Sequence, residues 1–300
     1  GLVMQYLLER RKKVRATRAM SLYLPEHLVR EMTEKNIDAS ALNRVTYSVC
    51  FASDMAGFTT IAEQMRPKEL AAFLNDYFET LSAPLRRHGV DVIEFRADGI
   101  MCAWTADQSD AGIRKKALMA GIEAVEAVGR FKERYQSLKQ SLRIGLESGM
   151  VYVGHAGGGG HFVFSIVGDP ANTAARIEGL NKHLQTQMLA SAPVLEGVEG
   201  LLCRFLGEFR FVGKTEALPI LEVLALKEVA SASQRRLCER FEFAMNEVGA
   251  GHWREAGQVF ETILHDYPED GPSKFHRERC LRYEESPPDH SPWVVEMDAK

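Results

Sequence analysis

The run VIEFRADGIMCAW, Val92 to Trp104, places two apolar segments on either side of Asp98-Gly99. An Asp-Gly pair between apolar runs signals a β-hairpin, because few residues tolerate the positive φ that so tight a turn demands. Any fold for this chain must therefore hold two consecutive antiparallel strands. RVTYSVCFASD (44–54) is rich in β-branched and aromatic residues and predicts another strand. LRIGLESGMVYVGHAGG and HFVFSIVGD predict two more, joined by a Gly-rich turn, and a last pair is expected near 204–211 and 219–224. Helical periodicity falls between them. From Pro67 to His88, the residues Leu70, Phe73, Leu74, Tyr77, Phe78 and Leu81 share one helix face. A second helix is expected over 110–138, and a short third one over PANTAARIEGLNKHL, with Asp169 as N-cap and Pro170 at the first helical position. MAGFTT, after the first strand, reads as a glycine-containing loop. The order strand, helix, hairpin, helix, hairpin, helix, hairpin predicts an α/β fold, an α+β sandwich with a mostly antiparallel sheet.

The chain divides into three parts. Residues 1–40 are charged and helical in pattern, with Pro25-Glu26 opening a second short helix, and read as a linker. The eight residues GLVMQYLL are followed at once by ERRKK. So short a run cannot cross a bilayer, which takes about 20 residues. An apolar stub followed by a basic cluster nevertheless matches the cytoplasmic end of a transmembrane helix. The segment is thus either a short amphipathic helix or the junction with a membrane span, and the second reading places the rest of the chain in the cytoplasm. Residues 41–227 hold the α/β pattern. Within 228–300, two helical patterns separated by Gly249 and Gly251 resemble one tetratricopeptide-type helix pair, which needs a neighbour to bury its apolar face. The final thirty residues, charged and Pro-containing, read as irregular.

Composition narrows the function classes. A net charge of −4 with no basic cluster outside the N-terminus gives no electrostatic footprint for nucleic acid. The five cysteines are scattered without a Cys-x-x-Cys pair, which argues against a disulfide framework or a zinc site. GKT at 213–215 is not a phosphate loop, since Glu208 stands where the motif needs glycine. The glycines at 157–160 fit a hairpin turn.

One constellation remains. Asp54 closes an apolar strand just before a Gly57 loop, Asp98 sits at a hairpin tip, and Asn172 and Arg176 lie one helical turn apart on one face. Acidic pairs hold hard divalent cations, an Asn can fix a sugar, and an Arg can stabilise charge on a transferring phosphoryl group. Each residue alone is unremarkable, as a turn former or a solvated helix side chain.

Their order and wording resemble the class III nucleotidyl cyclase catalytic domain, a ferredoxin-like fold. The similar segments are VTYSVCFASDMAGFTT, VIEFRADGIMCAW, LRIGLESGMVYVG, FSIVGDPANTAARIEGLNK and LGEFRFVGKTEALPILEV, spanning about residues 40–226. The flanks, YLPEHLVREM and the C-terminal helix pair, resemble those of bacterial membrane cyclases that carry an extracytoplasmic CHASE2 sensor. The resemblance implies a homodimer with two composite sites, each converting a purine nucleoside triphosphate to its 3′,5′-cyclic nucleotide and pyrophosphate. It assigns two Mg²⁺ or Mn²⁺ ions to Asp54 and Asp98, and phosphate-binding backbone N–H groups to Met55, Ala56, Gly57, Phe58 and Thr59. From the partner chain, it implies, Asn172 orients the ribose and Arg176 stabilises the transition state. Lys214 takes the triphosphate role although Val212 replaces the first Lys of the family's Lys-Gly-Lys turn. Arg96-Ala97 stands where Ile-Gly precedes the second metal Asp. Glu94 and Ser165 occupy the base-selecting positions and favour GTP over ATP. These departures keep a second reading open, a cyclase-like dimer that binds nucleotide or a partner without turnover.

Overall fold

The computed structural model describes residues 42–135, 142–158 and 161–297. The linker and membrane-junction expectations for 1–40 lie outside the described residues. In chain order the elements are β1 (Arg44–Met55), α1 (Phe58–Gln64), α2 (Pro67–Arg87), β2 (Val92–Arg96), β3 (Gly99–Ala106), α3 (Ala111–Arg134), β4 (Leu142–Gly158), β5 (His161–Val167), α4 (Asp169–Leu184), β6 (Met188–Ser191), α5 (Ala192–Leu195), β7 (Leu201–Arg210), β8 (Leu218–Leu226), α6 (Ala232–Gly249), α7 (Trp253–Asp266), α8 (Gly271–Glu285) and β9 (Val294–Glu296).

The strands form one sheet in the order β2-β3-β1-β4-β6-β8-β7-β9, with β5 paired to the far half of β4. Pairing is antiparallel except for β4 with β6 and β7 with β9. Helices α2 and α3 cover one face. Their stripe Phe73, Tyr77, Leu81, Leu85, Ala117, Ala124 and Phe131 buries against Phe51, Ile100 and Trp104 of the sheet. The other face packs under α4 and β5, where Cys50, Ala52, Met101 and Val151 meet Phe164, Ile166, Ala171 and Ala174. The approach of α4 is close: a Cβ on Gly145 of β4 would overlap the Ala174 carbonyl oxygen and the Glu178 backbone. Glycine is therefore required there.

Helix starts follow their sequence signals with two differences. Arg66 and Glu69 form a capping box ahead of Pro67, and Asp110 caps α3 by accepting from the Gly112 N–H at 2.7 Å. Asp169, expected as the N-cap of α4, is instead its first helical residue, and Gly168 takes the cap. The expected loop MAGFTT is only partly a loop, since α1 begins directly after Gly57, whose φ of 76° suits glycine.

Residues 228–297 differ more. The expected helix pair is present as α6 and α7, but the tail is not irregular: α8 and β9 follow. The three helices share a core with the sheet, in which Phe241, Phe260 and Ile263 join Leu184, Leu206, Phe209 and Ile220. A buried ion network reinforces the seam. Arg204 of β7, 3% exposed, donates to Glu222 at 2.6 Å and to Asp270 at 2.6 Å. Burial opposes its charge, but Glu222 and Asp270 outweigh burial and hold it protonated. All five cysteines are free. Among the described residues no helix is long and apolar enough to cross a membrane.

Candidate active site

Asp54 is the penultimate residue of β1 and lies opposite Arg143 of β4. The Arg143 guanidinium donates to Asp54 Oδ2 at 2.5 Å, and its Nε stands 3.5 Å from Glu178 Oε1 on α4. Asp98 occupies the β2–β3 turn. That turn is pressed against the end of β1, because a Cβ on Gly99 would overlap the Ser53 carbonyl oxygen. The two carboxyl groups are thereby brought into hydrogen-bond contact. Burial first, then the Asp54 charge, raises Asp98 from the usual carboxylate range to about 6. The Tyr77 hydroxyl is buried beneath them, its pKa pushed up by burial and then by Asp54, Asp98 and Glu178.

These donors fit a divalent cation. Two close acidic side chains, one with its pKa raised by burial and by the other's charge, are relieved by positive charge placed between them. Among the described residues no group of three or more His, Cys, Asp or Glu side chains is placed to hold an ion. The set thus suits a cation that keeps water and takes substrate phosphate, as Mg²⁺ does with one or two carboxylates.

The hairpin tip carries strain. Ala97 has φ 33°, in the left-handed region where an L side chain meets the following carbonyl. Ala97→Gly is expected to raise stability by up to about 1 kcal/mol, seen as a higher urea midpoint with an unchanged slope. A lower midpoint would show that the alanine is not strained.

Asn172 and Arg176 both lie exposed on α4, on one flank. Arg176 donates to the Val212 carbonyl in the turn between β7 and β8, and Lys214 of that turn pairs with Asp169. At Val212 the backbone oxygen makes the contact while the side chain faces solvent. Glu178, which leans towards Asp54 through Arg143, is two residues past Arg176, or about 200° around the helix. The Asn172–Arg176 flank therefore faces away from this chain's own acidic pair. Glu94 and Ser165 do meet: Ser165 Oγ donates to Glu94 Oε2 at 2.8 Å, and Arg96 Nε donates to Oε1 at 3.1 Å. Met55 ends β1, Ala56 and Gly57 make the turn, and Phe58 and Thr59 begin α1.

Sequence reading missed Arg143, Glu178 and Tyr77. One signal was available for Arg143, a charged residue between the buried apolar positions Leu142 and Ile144 of an interior strand.

The model of the adenylate and guanylate cyclase catalytic domain matches residues 39–218, more than half of the chain. The chain belongs to this family. Adenylate cyclase 1 of Rhizobium meliloti (strain 1021) is 29% identical over 219 residues, 71% of this chain and 33% of that protein. Guanylyl cyclase C of Cavia porcellus is 28% identical over 225 residues, 69% of this chain and 20% of that protein. The chain thus spans about a third or less of the length of these two relatives. Among solved structures, the adenylyl cyclase CyaB from P. aeruginosa superposes with a TM-score of 0.55 at 22% identity, over 63% of this chain and 99% of that one. A bacterial light-regulated adenylyl cyclase gives 0.62 at 20% identity, over 78% and 67%. The guanylyl cyclase Cya2 gives 0.54 at 24%, over 63% and 97%. These superpositions establish the cyclase-domain fold. Relatives of both base preferences match, so the family alone leaves the purine open.

Proposed function

We propose that this cyclase domain converts a purine nucleoside triphosphate, GTP in preference to ATP, to the 3′,5′-cyclic nucleotide and pyrophosphate in a homodimer. The observation that carries the proposal is the Asp54–Asp98 pair on one flank and the Asn172–Arg176 pair on a flank facing away from it. A site that needs all four side chains then takes two from each of two copies. When bound, two Mg²⁺ or Mn²⁺ ions would supply Lewis-acid activation of the ribose 3′-hydroxyl and neutralise triphosphate charge. Asp54 and Asp98 would hold them, with Arg143 yielding Asp54 to the ion and retaining Glu178. Backbone N–H groups of residues 55–59 would receive phosphate oxygens. Asn172 would orient the ribose. Arg176 would stabilise charge developing at the α-phosphate, and Lys214 would exchange Asp169 for the triphosphate.

The base preference rests on Glu94. A carboxylate accepts from the guanine N1–H and exocyclic amine, whereas adenine N1 is an acceptor and would be repelled. Arg96 and Ser165 both donate to Glu94, which fixes its orientation while each oxygen retains a lone pair. Leaving a polar edge unpaired costs about 1–3 kcal/mol, so roughly 10- to 100-fold selectivity is expected. A second reading, a dimer without turnover, draws on the strained Ala97 and on Val212. Incubation with Mn²⁺ and each of four nucleoside triphosphates, with products read by mass spectrometry, separates these readings. Cyclic GMP should exceed cyclic AMP at equal substrate, and Glu94→Lys with Ser165→Asp should move preference towards ATP. Excess cyclic AMP from the wild type would overturn the base reading alone, and no product from any nucleotide would leave the non-turnover reading standing. The apolar stub before ERRKK further supports placing the domain on the cytoplasmic side of a membrane, beneath a sensor region of a longer chain.

A further inference from the structure

We propose that the C-terminal segment 271–297 is a positioning element for catalysis: it holds both ends of α4, the helix that carries Asn172 and Arg176. The inference rests on the cyclase reading of those two side chains.

At the far end of α4, Gly271 opens α8 directly against Leu184. A Cβ at Gly271 would overlap the Leu184 carbonyl oxygen, so no larger residue allows this approach. Asp270 fixes that start of α8. Its carboxylate caps the helix, accepting from the Ser273 N–H at 3.1 Å, and holds Arg204 of β7 with contacts of 2.6 and 3.0 Å.

At the near end the grip passes through the last strand. β9 lies parallel to β7, pairing Val294 with Glu208 and Glu296 with Arg210. The Glu208 N–H donates to the Trp293 carbonyl at 2.9 Å, and the Met297 N–H donates to the Arg210 carbonyl at 3.1 Å. Arg210 also pairs with Glu296 at 2.5 Å. Arg210 is the last residue of β7. Two residues later the Val212 carbonyl accepts from Arg176, and Lys214 donates to the carboxylate of Asp169, the first residue of α4. The strand is itself pinned from behind. Arg279 of α8, 3% exposed, donates to the Pro292 and Val294 carbonyls at 2.8 and 2.9 Å. A helix of 16 residues is about 24 Å long, and one C-terminal unit contacts its last residue and, at Arg210, the strand end that leads into the turn holding its first.

Such a clamp matters because Arg176 acts on charge that exists only in the transition state. A displacement of about 1 Å in a positioned group can reduce rate about 10²-fold. Loosening β9 should therefore lower kcat through Arg176, and it should also raise KM to the extent that Lys214, which this reading assigns to the triphosphate, moves with the same turn.

The test replaces Met297 by proline, which deletes the N–H that bonds Arg210 without touching a side chain of the site. Met297→Leu is the conservative control. Hydrogen exchange is followed at the Lys214 amide, which donates to the Phe211 carbonyl at 2.9 Å, together with kcat and KM in the homodimer. Expected for Met297→Pro are faster exchange at Lys214, unchanged exchange in α2, and kcat lower by about 10- to 100-fold, with any rise in KM smaller than the fall in kcat. Met297→Leu should match the wild type. Arg279→Gln should reproduce the proline variant, and if it fails to fold, Met297→Pro carries the test. Faster exchange with wild-type kcat would reduce the segment to a stabilising one and overturn the proposal, as would unchanged exchange. A wild-type chain that turns over no nucleotide would count against the cyclase reading instead, and the clamp would then stand or fall on the Lys214 amide.

Discussion

Asp54→Asn is expected to lower cyclase turnover by about 10²–10³-fold or more, with the fold and the dimer intact. That is the usual loss on removing one element that stabilises developing charge, and in the proposed mechanism Asp54 would share its ions with Asp98, so the effect should lie at or above that range. Asparagine keeps the shape of the side chain at the end of β1, leaving Arg143 paired with Glu178 in place of a stranded buried charge. Asp98→Asn should give a similar loss for a different local reason. Its carboxyl group is already pushed up to about 6 by burial and by Asp54, so the neutral amide is well accommodated and folding is not the source of any loss. Initial rates in Mg²⁺, with circular dichroism and sizing of each variant, decide the point. Near wild-type turnover in either variant would remove the acidic pair from the mechanism.

How much of this could be read in the chain depended on whether burial was apolar. The Asp98-Gly99 hairpin, the stripe from Leu70 to Leu81 and the strand pair after Leu142 all announce themselves, because each buries hydrocarbon with the period of its own secondary structure. Helix α8 does not. Its buried residues include Ser273, His276 and Arg279, and their burial is made tolerable by partners far away in sequence. His276 Nε2 donates to the Leu206 carbonyl at 2.8 Å, while its Nδ1 accepts from Arg279 at 3.2 Å. Burial, then Arg279, depresses its pKa and keeps the ring neutral. A polar stretch stabilised in this way looks like a solvated tail to any reading of periodicity. The short strands β6 and β9 were hidden for a related reason, since each is only a few residues long and pairs in parallel with a strand remote in sequence. Within the site, residue types on one short motif were legible and contacts across motifs were not. Ser165 and Glu94 are 71 positions apart, and Arg143 and Asp54 are 89 apart. The resemblance named three of those four residues, but the salt link from Asp54 through Arg143 to Glu178 emerges only when β1, β4 and α4 are set side by side.

The flank geometry leads to the last expected result, recovery of activity on mixing two inactive chains. Asp54→Asn retains Arg176 but has no working ion site, and Arg176→Ala retains the acidic pair but lacks the guanidinium. Each homodimer should therefore be inactive. In a heterodimer one site carries both defects, while the other joins the intact acidic pair of one chain to the intact Arg176 of its partner. Random assortment makes about half of the dimers mixed, each with one working site of two, so the mixture should regain about a quarter of wild-type activity per chain. The intrachain structure supports this division. The start of α4 packs over Gly149, since a Cβ there would strike Pro170, and Gly149 pairs with Ser48 of β1. Ser48 is six residues from Asp54 along an extended strand, a separation of about 20 Å. Asn172, in the first turn of α4, is thereby kept remote from this chain's own acidic pair. Arg176, further along the helix, is turned to the opposite flank from Glu178. A site within one chain would need α4 to rotate through about half a turn, which its close packing on Gly145 forbids. Absence of recovery, with mixed dimers demonstrated by two different tags, would rule out the shared site and leave the placement of Arg176 without a catalytic explanation.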